Sequence, residues 1–227
     1  MVQRGLSFPE SPLVFDLTQP LTADIPRFPG DPEVRIEPLA GFEPWQISAL
    51  ALGTHSGTHM DAPRHRIASG AGIGEYGPDR LIGTGIVIDA FGLDDNQPIA
   101  AAAIDPVREA IAPGWFVVFR TDWDHYWRQD RYFRHPYLSP ELATALVDLK
   151  AGLVAIDALS VDSTVDSGSE AHVILLGADV LIAENLRGLS ALEANTPYQF
   201  AFLPLSLGPA DGSPARVVAW NPDPASP

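Results

Sequence analysis

The sequence predicts an α/β fold: a single domain over residues 1–227, built on a mixed, strand-rich sheet with few crossover helices. Three observations carry this. The chain has 227 residues and a 46% hydrophobic fraction, enough for one sizeable core. Its apolar residues fall in short runs of strand length, and one stretch carries a clear helix start. Its 19 glycines and 22 prolines demand many turns and argue against a helical bundle.

The elements follow in chain order. Leu13 to Leu17 is a short β-favouring run, and Phe28-Pro29-Gly30-Asp31-Pro32 is a turn cluster. Val34 to Glu37 alternates apolar and polar residues and reads as a half-buried strand, with Pro38 at its end or on an edge. Trp45 to Leu52 and Gly85 to Phe91 read as further strands. Trp115 to Arg120 is a buried strand. Ser139-Pro140-Glu141 then starts a helix, with a capping hydroxyl, proline at the first position and an acid in the first turn. The helix runs to about Lys150, Gly152 stops it, and Leu153 to Asp157 is the next strand. A crossover helix between two apolar strands implies parallel pairing. Gln199 to Leu205 adds a strand to the same or a second sheet. Residues 1–12 and 221–227 are polar or proline-rich and read as loosely held.

Composition removes several chemistries. There is no cysteine, hence no disulfide, no thiolate nucleophile and no cysteine-ligated metal. The one lysine, Lys150, sits outside any phosphate-binding glycine loop. The formal charge of −15 argues against nucleic acid as a partner. No apolar run approaches the roughly 20 residues needed to span a bilayer, and the first residues lack the apolar core of a signal peptide. The expectation is a cytoplasmic protein without a membrane contact.

What remains is histidine and carboxylate chemistry. Three of the six histidines fall within His55-Ser56-Gly57-Thr58-His59-Met60-Asp61-Ala62-Pro63-Arg64-His65. Imidazole and carboxylate together suit zinc, manganese or iron. Gly57 and Pro63 oppose a regular helix here, and a straight strand would hold His55 and His59 roughly 13 Å apart. Metal bonds are only about 2.0–2.2 Å, so the segment must bend, and Gly57 is the natural place. His55, His59 and Asp61 then converge on a cation, or Asp61 holds a histidine ring from behind. His65, just past the proline, is left as a general acid or base.

This motif resembles the signature of the cyclase-like metal-dependent hydrolases, a family that includes bacterial kynurenine formamidases and isatin hydrolases. Asp16-Leu17-Thr18 with Phe28-Pro29-Gly30-Asp31, Arg120-Thr121, Tyr137 to Glu141, Ile156 to Asp162 and Asp211 to Arg216 resemble further blocks of the family in the same order. The resemblance implies a swivelling β/β/α fold. It also implies a second ligand pair, which this sequence supplies as His172 and Glu184. On that scheme His55, His59 and Asp61 hold one metal, Asp61, His172 and Glu184 the other, and His65 is the catalytic acid/base. The cofactor is then divalent zinc or manganese, one or two per subunit, in a homodimer or homotetramer. Without the resemblance, His172 reads as a strand-end histidine and Glu184 as an exposed helix carboxylate. Phe28 becomes the candidate substrate contact.

The implied reaction is hydrolysis of a C–N amide bond in an N-formyl arylamine or an isatin-like cyclic amide, by water activated on the metal. The alternatives are a metal-dependent cyclase or dehydratase, and a metal-binding relative without catalysis. Residues 122–136 stand apart, with Trp123, Tyr126, Trp127, Tyr132 and Phe133 between arginines and histidines. They read either as a loop packed on the body or a subunit contact, or as a wall over a flat aromatic substrate.

Overall fold

A computed structural model of the chain describes residues 13–166 and 168–222. Its strands are β1 (Val14–Asp16), β2 (Arg35–Leu39), β3 (Ile47–Ala51), β4 (His59–Asp61), β5 (Ile82–Asp89), β6 (Pro98–Ile99), β7 (Phe116–Arg120), β8 (Tyr137–Leu138), β9 (Leu153–Ile156), β10 (Leu181–Glu184), β11 (Pro197–Pro204) and β12 (Gly212–Trp220). The α-helices are α1 (Pro78–Leu81), α2 (Pro140–Asp148) and α3 (Glu170–Gly177). Among the described residues, no helix is long and apolar enough to cross a membrane.

Eight strands form one mixed sheet in the order β1-β12-β11-β5-β7-β9-β10-β4. β5, β7, β9 and β10 run parallel, as the crossover argument requires, with α2 between β7 and β9 and α3 between β9 and β10. β4 pairs with β10 on one edge and β12 on the other, which closes the sheet into a barrel. Closure leaves no exposed ladder at that seam.

Alternation along the parallel strands sorts their side chains into two cores. Val87, Val118, Leu153, Ala155, Leu181 and Ala183 join Met60, Phe200 and Phe202 inside the barrel. Ile86, Ile88, Val117, Phe119, Val154 and Ile182 point the other way, under the apolar faces of α2 and α3. α2 begins as its sequence dictates: Ser139 Oγ accepts the Leu142 N–H at 3.1 Å, with Pro140 at the first position. Its end differs from expectation. Lys150, not Gly152, takes the left-handed turn, with φ of +57°. The N–H of Lys150 still reaches the Val147 carbonyl at 2.8 Å and the Ala151 N–H the Leu146 carbonyl at 3.1 Å, which closes the last turn.

The second departure is the β2–β3 pair. The alternation in Val34 to Glu37 predicts a half-buried strand, but all ten residues of β2 and β3 are exposed. Among the described residues the two strands pair only with each other and no second layer covers either face. Pro38 sits within β2 rather than at its end, and β2 is an edge strand, the other position that proline suits. The expectation for residues 1–12, and for all of 221–227 beyond Asn221 and Pro222, lies outside the described residues.

The C-terminal ends of the parallel strands carry a buried polar turn. Asp157, 1% exposed, follows β9 and accepts the N–H groups of Thr121 at 2.8 Å and Asp122 at 3.0 Å. Those bonds hold Asp122 in a left-handed conformation, φ +60°, which aspartate tolerates better than most residues. Burial nevertheless raises the Asp157 carboxyl from 3.8 to about 7. A carboxyl whose folded pKa lies above its unfolded one favours the fold only while protonated. Its contribution is therefore full below about pH 4 and lost as pH rises through about 7, a change of about 4 kcal/mol. Asp157→Asn should gain on the wild type by about that amount between pH 4 and 8 in denaturant unfolding. A difference that does not vary with pH would refute the assignment.

Candidate metal centre

The barrel-closing strand builds the site. In β4 the side chains of His59 and Asp61 share one face, two residues apart, while Met60 between them is fully buried inside the barrel. The antiparallel register sets Glu184 opposite His59 and Ile182 opposite Asp61. Cross-strand partners point to the same face, so Glu184 joins His59 and Asp61 on the helix side of the sheet. α3 covers that face and brings in His172. His55 is carried round by a turn at Gly57, whose φ of +66° is open to glycine without strain. Gly212 on β12 also needs to be glycine: a Cβ there would lie 2.6 Å from the Met60 carbonyl and 2.8 Å from the His55 ring.

The two ligand sets expected from the sequence are each brought together. His55, His59 and Asp61 form one group, and Asp61, His172 and Glu184 the other, each with potential ligand atoms within 4.8 Å of one another. His59 Nε2 lies 3.2 Å from Asp61 Oδ1 and 3.4 Å from Glu184 Oε2. His172 Nε2 lies 3.5 Å from Asp61 Oδ2 and 3.5 Å from Glu184 Oε1. His55 Nδ1 is closer, 2.6 Å from Asp61 Oδ1. The sequence reading of the second pair is corrected in one respect. His172 lies on a helix and Glu184 is buried at a strand end, the reverse of a strand-end histidine and an exposed helix carboxylate.

Each ring is aimed from behind. His59 Nδ1 donates to the Gly57 carbonyl at 2.9 Å, which turns Nε2 toward Asp61 and Glu184. His172 Nδ1 donates to Asp162 at 2.7 Å, and the same carboxylate accepts the N–H groups of Ala171 and His172. His55 Nε2 faces Asp211 at 2.9 Å. Asp162 and Asp211 are thus carboxylates that orient the rings of His172 and His55. Sequence reasoning places both in family blocks without assigning them a role. Asn185 is a third residue it misses. Its Oδ1 accepts the buried Tyr132 hydroxyl at 2.8 Å and its Nδ2 lies 3.5 Å from His59 Nδ1.

His65 stands beside the group rather than in it. Its ring centroid is 4.1 Å from that of His55 and 5.5 Å from that of His172, and its Nδ1 is 3.4 Å from Asp211. Burial lowers its pKa below the ordinary histidine value, against the pull of Asp61, which favours the uncharged ring. The other imidazoles move the opposite way. Burial would lower His59, but Asp61 and Glu184 hold it well above the usual range. His172 is likewise lifted to about 10 through Asp162 and Asp61 despite its burial. Asp61 resists the upward push of burial because His59 and His55 hold it far below the usual carboxylate range. A cation that takes these nitrogens must therefore displace protons.

The residues fit such a cation. Asp61 is fully buried and its Oδ2 has no hydrogen-bond partner among the described residues, a costly arrangement unless a positive charge faces it. Two ligand atoms each about 2.1 Å from one tetrahedral ion lie about 3.4 Å apart. In the second group His172 Nε2 lies 3.5 Å from both Asp61 Oδ2 and Glu184 Oε1; in the first, His59 Nε2 lies 3.2 Å from Asp61 Oδ1, while His55 Nδ1 at 2.6 Å makes a hydrogen bond that an ion would replace. The set is nitrogen and carboxylate oxygen without sulfur, which suits zinc or manganese.

The cluster opens into a cavity of about 240 Å³, lined beyond the ligands by Phe28, Asp31, Arg66, Leu159, Ser160 and Ser169 among others. Phe28 is 46% exposed, with its ring available at the wall. No residue of 122–136 lines this cavity. Trp123 and Tyr132 are buried in the core under the helices, with Tyr126, Trp127 and Phe133 packed against it. Arg131 lies over the rings of Trp123 and Tyr126. The segment packs on the body and reaches the site only through Tyr132 and Asn185.

Residues 15–163 match the model of a family described as putative cyclase. The chain is 33% identical to the kynurenine formamidase of Paracidovorax citrulli, with 92% of this chain and 97% of that one covered. Among solved structures it is similar to an isatin hydrolase bound to the product analogue thioisatinate, with a TM-score of 0.79 and 25% identity over 92% of each chain. It is similar also to a potential metal-dependent hydrolase with cyclase activity, with a TM-score of 0.80 and 28% identity over 94% of this chain and 100% of that one.

Proposed function

The chain belongs to the putative cyclase family and is a metal-dependent hydrolase of it, and we propose that it cleaves the C–N amide bond of an N-formyl arylamine, or of a cyclic amide such as isatin. The observation that supports this most is the His65 ring packed beside two candidate ligand groups that share Asp61. We assign zinc or manganese to those groups, one or two ions per subunit, held by His55, His59, Asp61, His172 and Glu184. When bound, a divalent ion there polarises the amide carbonyl and makes water nucleophilic near neutral pH.

The remaining roles belong to the chain. His65 takes a proton from the attacking water and returns it to the departing nitrogen, which is worth roughly 10²–10⁴-fold. Asp211 holds His65 through Nδ1 and leaves Nε2 for that transfer. Opposing influences act on Asp211: burial raises its pKa and His55 lowers it, with a net value of about 2, so it stays anionic. Phe28 packs against the aryl ring of the substrate, where stacking adds to apolar contact.

The test is spectroscopic. Zinc- or manganese-loaded protein is expected to turn over N-formylkynurenine or isatin, followed by ultraviolet absorbance. No change with either substrate, with metal bound, would refute the substrate assignment and favour ring-closing or dehydrating chemistry.

The chain is also read as a homodimer or homotetramer. The β2–β3 arm supports this, because Leu50 is 65% exposed, Trp45 just before β3 is 76% exposed, and Ile36, Leu39 and Ile47 are exposed beside them. A lone two-stranded hairpin has marginal stability in water, and apolar residues grouped on one mark an interaction surface. Light scattering should give at least twice the 24.4 kDa chain mass. Trp45→Ser with Leu50→Ser should shift it toward the monomer. A monomeric wild type would contradict the reading.

A further inference from the structure

We propose that Arg66 is a specificity-determining residue that holds a carboxylate on the substrate, remote from the bond that is cleaved. This deepens the amide-hydrolase reading and rests on it. The cavity has a chemical direction. It holds the histidine and carboxylate group, Phe28 and Leu159 give it apolar wall, and among the described residues Arg66 is the one arginine or lysine in its lining. The position is unusual in this chain. Acids outnumber arginine and lysine 29 to 14. Nine other arginines have a carboxylate within 4.0 Å. Among the described residues Arg66 meets none.

Its side chain makes one hydrogen bond, from Nη2 to Ser169 Oγ at 2.6 Å. A guanidinium has five N–H donors in a flat fork that matches a carboxylate, and among the described residues most of that capacity has no partner. The base of the side chain is fixed. Arg66 directly follows His65, and its backbone N–H donates to the Pro63 carbonyl at 3.1 Å. An arylamide whose far end carries a carboxylate can place its aryl ring at Phe28, its amide at the ligand cluster and its acid at Arg66. The rival role for Arg66 is a clip, through Ser169, between the His65 turn and α3.

Binding tests this without turnover. By calorimetry on the metal-loaded protein, 3-benzoylpropionate should bind about tenfold or more tighter than its methyl ester. Arg66→Gln should erase that preference and Arg66→Lys should restore part of it. A preference that survives Arg66→Gln places the acid on the metal cluster and overturns the proposal. In turnover, the kcat/KM ratio of N-formylkynurenine to N-formyl-2-aminoacetophenone should fall about tenfold to hundredfold in Arg66→Gln, mainly through KM. An equal loss on both substrates identifies a clip and overturns the proposal. If wild type hydrolyses neither formamide but the calorimetric contrast holds, the formamide reading fails and the Arg66 assignment stands.

Discussion

Asp61→Asn is expected to abolish metal binding and turnover together. Asp61 is the one residue common to both candidate ligand groups. Its two oxygens face different imidazoles, Oδ1 toward His55 and His59 and Oδ2 toward His172. Asparagine keeps the shape but removes the charge and offers one weak oxygen in place of two. The change also removes the partner that holds His59 and His55 above their ordinary pKa despite burial. Elemental analysis after dialysis should find metal near zero per chain, and turnover should fall by on the order of 10³ or more. Circular dichroism should still show the folded barrel, because β4 keeps its backbone pairs to β10 and β12. A variant that keeps its full metal content would show that the ion sits elsewhere.

His65→Ala is expected to separate the two properties that Asp61→Asn removes together. His65 makes no contact with Asp61 or Glu184 as close as those of the ligand histidines, and it is held instead by Asp211. The variant should therefore keep its metal and lose roughly 10²–10⁴-fold in kcat. The distinguishing result concerns a third arrangement. His55, His65 and Asp211 also lie close enough to hold an ion. Loss of metal in His65→Ala would make His65 a ligand of that group, and unchanged kcat would remove it from the chemistry.

Local chemistry made half of the centre legible in the sequence. His55, His59, Asp61 and His65 lie within eleven residues, and the need to bend at Gly57 follows from strand geometry alone. The apolar runs at Phe116 to Arg120 and Leu153 to Ile156, and the helix start at Ser139, are equally local, and they yield β7, β9 and α2. His172 and Glu184 are not local. Glu184 meets His59 only because a three-residue strand closes the barrel, and His172 only because α3 lies over that seam. No spacing rule reports such a closure, so the family resemblance alone pointed to them. Asp162, Asp211 and Asn185 are short polar residues whose role depends on which ring they stand behind. The β2–β3 arm fails for a different reason. Alternation records which face of a strand is apolar, not whether this chain or another molecule covers it.

Hydrolysis by the shared histidine and carboxylate group is proposed to need a divalent ion. The most direct test is release of formate from an N-formyl arylamine before and after chelation of the same protein sample. Chelated protein is expected to be inactive, and zinc or manganese, near one or two ions per chain, to restore the rate. Chelated protein that retains the full rate would contradict that need.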